Sequence, residues 1–524
     1  MSSEMINKSL QIINGLFSNT VIQEADKQYI GLFKEITHKA SSAEKKALSE
    51  ALLNTTLPHD NPVPLYFLLF DLLNESKFLE LLFEFVGNTL PPNIHNELFW
   101  SIINRSFTGH KLSNKVTEQL RKHHARTSSR CNASLDALGV RRKKQVSSVK
   151  NIAIIAPQIL SMGHAPTREA FNISLNLDHS FGCTTYVFNT NSLTYTNELG
   201  LLEPLTSHAN KELKGGQIKK VDYMQFKQKD VRIISFDPGP LTTGKIATIL
   251  NTLEQFGIDA VISHGENSLI QEAIYGLFPS LFATTGGVVP FAHSDAYFVP
   301  KHLFTTEHQK ITENFGHKQN FLLESMLVTP AGKEEGVVNK QEYSIAEDKF
   351  VYLVVGTRLK KELCSEFIII CERILDHAPD SVIAFAGTQD LVLKDYFSEK
   401  LIESGRLIQL GFQGDLPRVS KMADVYLNPL RQGGGTSSQT AIINDLPIVT
   451  RDHGHISAVV PDELRQSTWQ SYFDFAIALK EDPELLKQWQ NTLSVHFIEN
   501  LDTHEQISKM YTKLVEVASC EYGV

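Results

Sequence analysis

Up to about Leu112, apolar positions recur every three or four residues, the spacing of one face of a helix. AEKKALSEALL is rich in helix formers, and FLLFDLLNESKFLELLFEFV keeps the same period. Pro58, Pro62, Pro64, Pro91 and Pro92 cut the stretch into short units, so the pattern predicts an all-helical domain over 1–115. From Asn151 the pattern changes to short apolar runs separated by helical segments. NIAIIAP, TTYVFN, VRIISF, DAVISH and LFATT read as strands, with helices through TREAFNISLNL, IATILNTLEQFG and NSLIQEAIYG. A second series begins at KFVYLVVG and continues through a helix from about Glu362 to His377, SVIAFAG, a helix to Leu401, LIQLG, VYLNP, a helix from about Thr436, and LPIV; the tail is helical. Such alternation predicts parallel sheets covered on both faces. The fold class expected is α/β, two tandem Rossmann-like doubly wound domains (151–330 and 331–490), preceded by the helical domain and followed by a helical tail, 491–524.

Between Thr117 and Lys150 there are nine Lys/Arg and two Asp/Glu, a local net of 9 − 2 = +7. This stretch, 116–150, reads as a basic linker, a solvated segment or helix joining two domains; the alternative is a surface that meets anionic lipid headgroups, an acidic partner protein or a polyanionic glycan. The chain as a whole has a formal charge of −9, which argues against a general nucleic-acid binder. Five scattered cysteines with no CxxC pair give neither a disulfide framework nor a cysteine zinc site. The start of the chain lacks an apolar signal core, and Pro64–Val86 is broken by Asp71, Glu75, Lys77, Glu80 and Glu84. A soluble, cytoplasmic protein is expected, with peripheral contact to the inner face of the membrane through the basic segment as an option.

The most informative motif is ADVYLNPLRQGGGTSSQTAIINDLPIVTRDHG, Ala423 to Gly454. A strand ends at Asn428-Pro429; Gly433, Gly434 and Gly435 follow, and Thr436, Ser437 and Ser438 open a helix. Glycines let a ligand approach the backbone, and the N–H groups at a helix start attract phosphate. The hydroxyls can cap the helix and donate to phosphate oxygens. No Lys follows the glycines, so this is not a Walker A loop, and HExxH, GxSxG, EF-hand and DxD patterns are missing as well. Before this motif, VVGTRLKKE puts Gly356, Thr357, Arg358, Lys360 and Lys361 after the first strand of the second series. A guanidinium beside an ammonium suits a diphosphate and its departure without a metal.

These motifs resemble the C-terminal half of GT-B glycosyltransferases, the two-Rossmann enzymes that use nucleotide sugars. The likeness is to the retaining group (glycosyl transferases group 1, family 4-like), with some similarity to the O-GlcNAc transferase and bacterial protein O-/N-glycosyltransferase branches, which also carry a helical N-terminal domain. The resemblance implies that Gly356, Thr357, Arg358 and Lys360 take the donor diphosphate, that Gly411, Phe412 and Gln413 meet the nucleotide base, and that Gly433 to Ser437 cradle phosphate. In the first half it places Gly163, His164, Thr167 and Arg168 at the donor and acceptor, and His264 at a strand end in the cleft, where an imidazole can take an acceptor proton or bind the transferred sugar. Glu266, Asn267 and Ser268 then read as helix caps, and His453 and His455 as a loop near the donor sugar. The retaining group has two glutamates eight positions apart in the glycine loop; Gln432 and Thr440 stand there, so either ribose recognition differs or the sequence belongs to another GT-B branch.

The implied activity is transfer of a sugar from a nucleotide diphosphate sugar, UDP-linked, to a protein or glycan acceptor, with catalytic residues His264 and His164, no cofactor and no metal. The implied partners are the nucleotide sugar, its acceptor and a homo-oligomer. The alternative is a non-catalytic GT-B subunit that stabilises an active transferase.

Overall fold

The computed structural model describes residues 24–54, 62–87, 90–107, 112–144, 148–193, 221–265, 269–285, 292–301, 320–325, 329–387, 391–501 and 503–521, with isolated positions between them. The helical region comprises Glu24–Lys39, Ser42–Leu53, Val63–Leu73, Lys77–Val86, Pro92–Phe107 and Asn114–Ala137. Its core is built on Leu65, Phe67, Phe70, Phe78, Leu82 and Phe99, the apolar face that the three-to-four spacing marks out.

The helix Asn114–Ala137 runs through the stretch read as a linker. It buries Val116, Leu120, His124, Thr127, Cys131 and Leu135, a stripe at helical spacing under the many charges. After it, Arg141 donates from Nε to the Ala273 carbonyl at 3.2 Å, and Lys144 donates to the Ile258 carbonyl. Two of the cations expected at an anionic partner are therefore turned to the protein itself.

Among the described residues fourteen strands follow: β1 Asn151–Ala156, β2 Thr184–Asn189, β3 Asp222–Phe226, β4 Lys229–Ser235, β5 Ala260–His264, β6 Ser280–Ala283, β7 Ala296–Pro300, β8 Phe321–Glu324, β9 Phe350–Gly356, β10 Ser381–Gly387, β11 Leu407–Gly411, β12 Val425–Leu427, β13 Ile448–Arg451 and β14 Arg465–Gln466. They form an eight-stranded sheet, order β3-β4-β2-β1-β5-β6-β7-β8, and a six-stranded sheet, order β11-β10-β9-β12-β13-β14. All pairings are parallel except β3 with β4. Each sheet has an apolar core on both faces. The two doubly wound units expected from the alternating pattern are present, and with the helical region in front they make the GT-B architecture.

Strand order decides where a ligand can go. In the second sheet the order reverses between β9 and β12, and in the first between β1 and β5. Crevices open outside the carboxyl ends of strands at such reversals. The strand ends at Ala156, His264 and Gly356 all line one cavity of about 900 Å³, so the two crevices are a single cleft between the halves.

The segment that enters the second half docks within that half, and the tail ties the two halves together. Ala331 N–H donates to Thr440 Oγ1 at 3.1 Å, Glu334 N–H to Asn444 Oδ1 at 2.7 Å, and Asn444 Nδ2 to the Gly332 carbonyl at 2.9 Å. The last helix, Thr503–Glu521, returns to the first sheet, where Ile507, Met510, Leu514 and Val517 enter its core.

Candidate functional site

The second half builds its side of the cleft on two turns. After β9 the chain passes Gly356 and Thr357 into the short helix Leu359–Glu362, whose N-cap is Arg358. After β12 it passes Arg431 and three glycines into the helix Gly435–Ile443. A buried ion pair joins the turns: Arg431 Nη1 donates to Glu362 Oε2 at 3.0 Å. Arg431 also donates from Nη2 to the Tyr426 hydroxyl at 2.6 Å and from Nε to Asn428 Oδ1 at 2.9 Å. Burial opposes its charge, and Tyr426 and Glu362 outweigh that, so the guanidinium pKa stands above its ordinary value. The second oxygen of Glu362 accepts from Arg358 Nε at 3.1 Å. One carboxylate thus holds two guanidiniums, one buried and one part-exposed toward the cleft.

Crowding explains the glycines. A Cβ on Gly356 would lie 2.6 Å from Arg431 Nη1, and one on Gly433 2.6 Å from Arg358 Nη2. Gly387, at the end of β10, has φ +152°, and a Cβ there would lie 1.8 Å from the Gly356 carbonyl oxygen. Any side chain at Gly387 would push the β9 turn out of place.

The helix Gly435–Ile443 opens at Gly434 with φ +98° and no side-chain cap. The sequence leads one to expect capping hydroxyls. Instead Ser437 Oγ donates to the Gly434 carbonyl at 2.9 Å and lies 3.1 Å from the Tyr426 hydroxyl, while Ser438 Oγ donates to the Gly435 carbonyl at 2.8 Å. Hydroxyls directed back along the helix leave its positive end to the cleft, beside Arg358.

Gly356, Thr357, Arg358, Phe412, Gln413, Gly433, Gly434, Gly435, Thr436 and Ser437 all line the cavity, as do Gly163, His164, Arg168 and His264 from the first half. Lys360 and Gly411 do not: Lys360 is exposed outside the cavity, and Gly411 turns the chain at the end of β11 with φ +66°. Phe412, 60% exposed, stands at the rim, and Gln413 Nε2 donates to the Leu410 carbonyl at 2.6 Å. His455 lines the cavity too and anchors the glycine loop by donating its backbone N–H to the Gln432 carbonyl at 2.8 Å; His453 is at the N-cap position of the helix Gly454–Val459 without a side-chain cap, and does not line the cavity. Glu266, Asn267, Ser268 and the Lys361 side chain lie outside the described residues. At the two positions where acids would hold a ribose, Thr440 instead receives the connecting segment and the Gln432 carbonyl receives His455.

On the first half, His164 ends the loop after β1 and precedes the helix Ala165–Phe181. Its Nδ1 lies 2.9 Å from Thr167 Oγ1. Burial, then the neighbouring His264 and Arg168, bring its pKa down to about 4, so the ring is neutral near pH 7. His264, 2% exposed at the end of β5, pairs through Nε2 with Glu169 Oε2 at 3.3 Å. Trp100 and Asn104, from the helix Pro92–Phe107, form a further wall of the cavity.

Sequence reasoning missed Glu362, Arg431 and Glu169. Arg431 stands inside the Ala423–Gly454 motif, beside three glycines, and Glu362 ends VVGTRLKKE four residues after Arg358, so both had a local signal; Glu169 carries none, since it meets His264 95 residues away. Among the described residues no group of three His, Cys, Asp or Glu is placed to hold a metal ion, and no helix is long and apolar enough to cross a membrane.

No family model matches the chain, and no curated protein matches it. Among solved structures it is similar to a mutant of S. aureus TarM in complex with Fondaparinux, alpha-GlcNAc-glycerol and UDP, at 10% identity and TM-score 0.47 over 70% of this chain and 99% of that one. It is similar to a mutant of the Thermobaculum terrenum O-GlcNAc transferase at 14% identity and TM-score 0.46 over 99% of both chains. A third is the pneumococcal O-GlcNAc transferase GtfA in complex with UDP and GlcNAc, at 11% identity and TM-score 0.43 over 71% and 99%. Likenesses this loose say nothing of substrate, and the chemistry must come from the residues in the cleft.

Proposed function

We propose that the chain is a glycosyltransferase that moves a sugar from a nucleotide diphosphate sugar to a protein or glycan acceptor without a metal. The observation that carries this reading is the pairing, across one cleft, of an anion cradle with an imidazole. The cradle is Arg358 beside the uncapped start of Gly435–Ile443. Its positive charge suits a diphosphate in the donor and a diphosphate leaving. The imidazole of His264 lies on the opposite half, where an acceptor hydroxyl can approach it. In the transfer, the acceptor proton passes to His264, the acceptor oxygen bonds to the sugar C1, and the C1–diphosphate bond breaks with its electron pair on the leaving oxygen. UDP is the nucleotide taken from the sequence resemblance. Trp100 and Asn104 make the helical region part of the acceptor side.

The test is UDP release from a panel of UDP-sugars by the purified full chain, alongside a thermal-shift titration with UDP, since a ligand that binds the folded state raises apparent stability. Release and a rising midpoint support the reading. UDP binding without turnover on any sugar or acceptor, or no binding at all, transfers the chain to the non-catalytic subunit class.

A further inference from the structure

The proposed transfer needs a proton acceptor whose free nitrogen faces the acceptor, and an imidazole offers two. Only one carries the proton in the neutral ring, so the partner of the other nitrogen decides which is available. His264 ends β5 with its ring almost wholly buried, and Nε2 lies 3.3 Å from Glu169 Oε2. Glu169 is on the helix Ala165–Phe181, one residue after Arg168, and is itself only 5% exposed. An ionised carboxylate can only accept, so this contact requires the proton on Nε2. Nδ1 then holds the lone pair. Nδ1 has no partner among the described residues, and His264 lines the cavity.

We propose that Glu169 is a positioning residue for His264: it fixes the Nε2–H tautomer, aims Nδ1 into the cleft, and stabilises the imidazolium formed when the acceptor hydroxyl gives up its proton. This rests on the transferase reading for its role in turnover, but the tautomer itself does not. Among the described residues, the charged and titratable neighbours of the pair are His164 and Arg168. Burial, first of all, holds His164 neutral near pH 7, so it does not compete for the carboxylate. Arg168 reaches instead toward the Met162 carbonyl, Nη1 to oxygen 3.4 Å. A buried carboxylate on a helix behind a histidine is a common way of orienting a base, and truncating such an orienter costs far more turnover than binding.

Two measurements test it on the full chain. The first is 15N NMR of the His264 ring without donor, assigned by comparison with His264→Gln. Nε2–H in the parent and a mixture of tautomers in Glu169→Gln are expected; Nδ1–H in the parent overturns the proposal whatever the protein's activity. The second is steady-state transfer. Glu169→Gln keeps the shape and removes the charge, so kcat should fall at least tenfold with donor KM within about twofold, as expected for loss of a transition-state interaction. Glu169→Asp, shorter but charged, should recover part of that loss. A merely space-filling Glu169 predicts the reverse ranking, with Asp worse than Gln, and that ranking overturns the proposal, as does a kcat unchanged in Glu169→Gln. A parent with the Nε2–H tautomer but no transferase activity overturns the functional reading and leaves the pair standing.

Discussion

Arg431 and Glu362, 69 residues apart in sequence, meet at 3.0 Å with both side chains buried, and the same carboxylate holds Arg358 at the cleft. The pair is the joint between the β9 turn and the glycine loop, so the positions of Arg358 and of the helix start at Gly434 depend on it. Fully buried ion pairs are costly to break from one side, because the remaining charge keeps its desolvation penalty.

Arg431→Met should therefore lower stability by about 3–5 kcal/mol. Urea denaturation of the parent and the variant measures it. Glu362→Gln should do the same to a smaller degree and should also weaken UDP binding, since Arg358 loses its anchor. A loss below about 1 kcal/mol for Arg431→Met would mean that the pair carries no structural weight.

Gly387→Ala tests the crowding at the β9 turn. The methyl has no room beside the Gly356 carbonyl, and φ of +152° adds backbone strain. Destabilisation of at least about 2 kcal/mol is expected, together with loss of UDP affinity, because the turn that carries Arg358 must shift. Isothermal titration with UDP and thermal denaturation report the two effects separately.

Arg358→Ala and His264→Ala should fail in different ways. Arg358→Ala removes a contact to the donor diphosphate in both ground and transition states, so UDP affinity and turnover fall together, by about 10²-fold in turnover. His264→Ala should leave UDP affinity nearly unchanged while transfer falls roughly 100-fold or more. Full transfer by His264→Ala would remove it from the chemistry. The same assay run with EDTA should show unchanged rates, and a loss restored by manganese or magnesium would contradict the charge balance proposed for the cleft.

The pH prediction concerns His164. Its pKa is lowered from 6.5 to about 4 in the folded protein, first by burial. A lowered histidine pKa means that the unfolded chain binds the proton more tightly. His164 thus contributes stability that is fully present above about pH 6.5 and is lost as the pH falls toward 4. The melting temperature of the parent should drop more between pH 7 and pH 5 than that of His164→Gln. Equal drops would show that His164 does not contribute to the acid sensitivity.

The long apolar runs announced the architecture: NIAIIA, FVYLVVG and SVIAFAG became β1, β9 and β10, because a strand buried on both faces needs no partner to be recognised. The edges were less legible. The hairpin strand β3, DYMQF, alternates half-buried and exposed positions, and the two-residue β14 is too short to leave a pattern. In the basic segment the helix was among the expected forms, but a count of charges hides the stripe from Val116 to Leu135 that buries one face of it. In the site, the glycine-rich loop and Arg358 declared themselves through local chemistry. The buried half of Glu362's role, its pairing with Arg431, and the whole of Glu169's did not, since those partners lie 69 and 95 residues away and only the folded chain supplies them.

The returning helix Thr503–Glu521 has a practical consequence for anyone dissecting this protein. Ile507, Met510 and Leu514 enter the core of the first sheet, with Tyr511 tilted against Phe181. A fragment stopping near residue 330 would carry that groove open to water, and a fragment beginning there would carry an orphaned amphipathic helix. Cloning the halves at the sequence boundary between the two sheets therefore cuts through a folded unit. A circular permutant that fuses the last helix ahead of the first half keeps the unit whole, and it is the form in which either side of the cleft can be isolated for ligand titration.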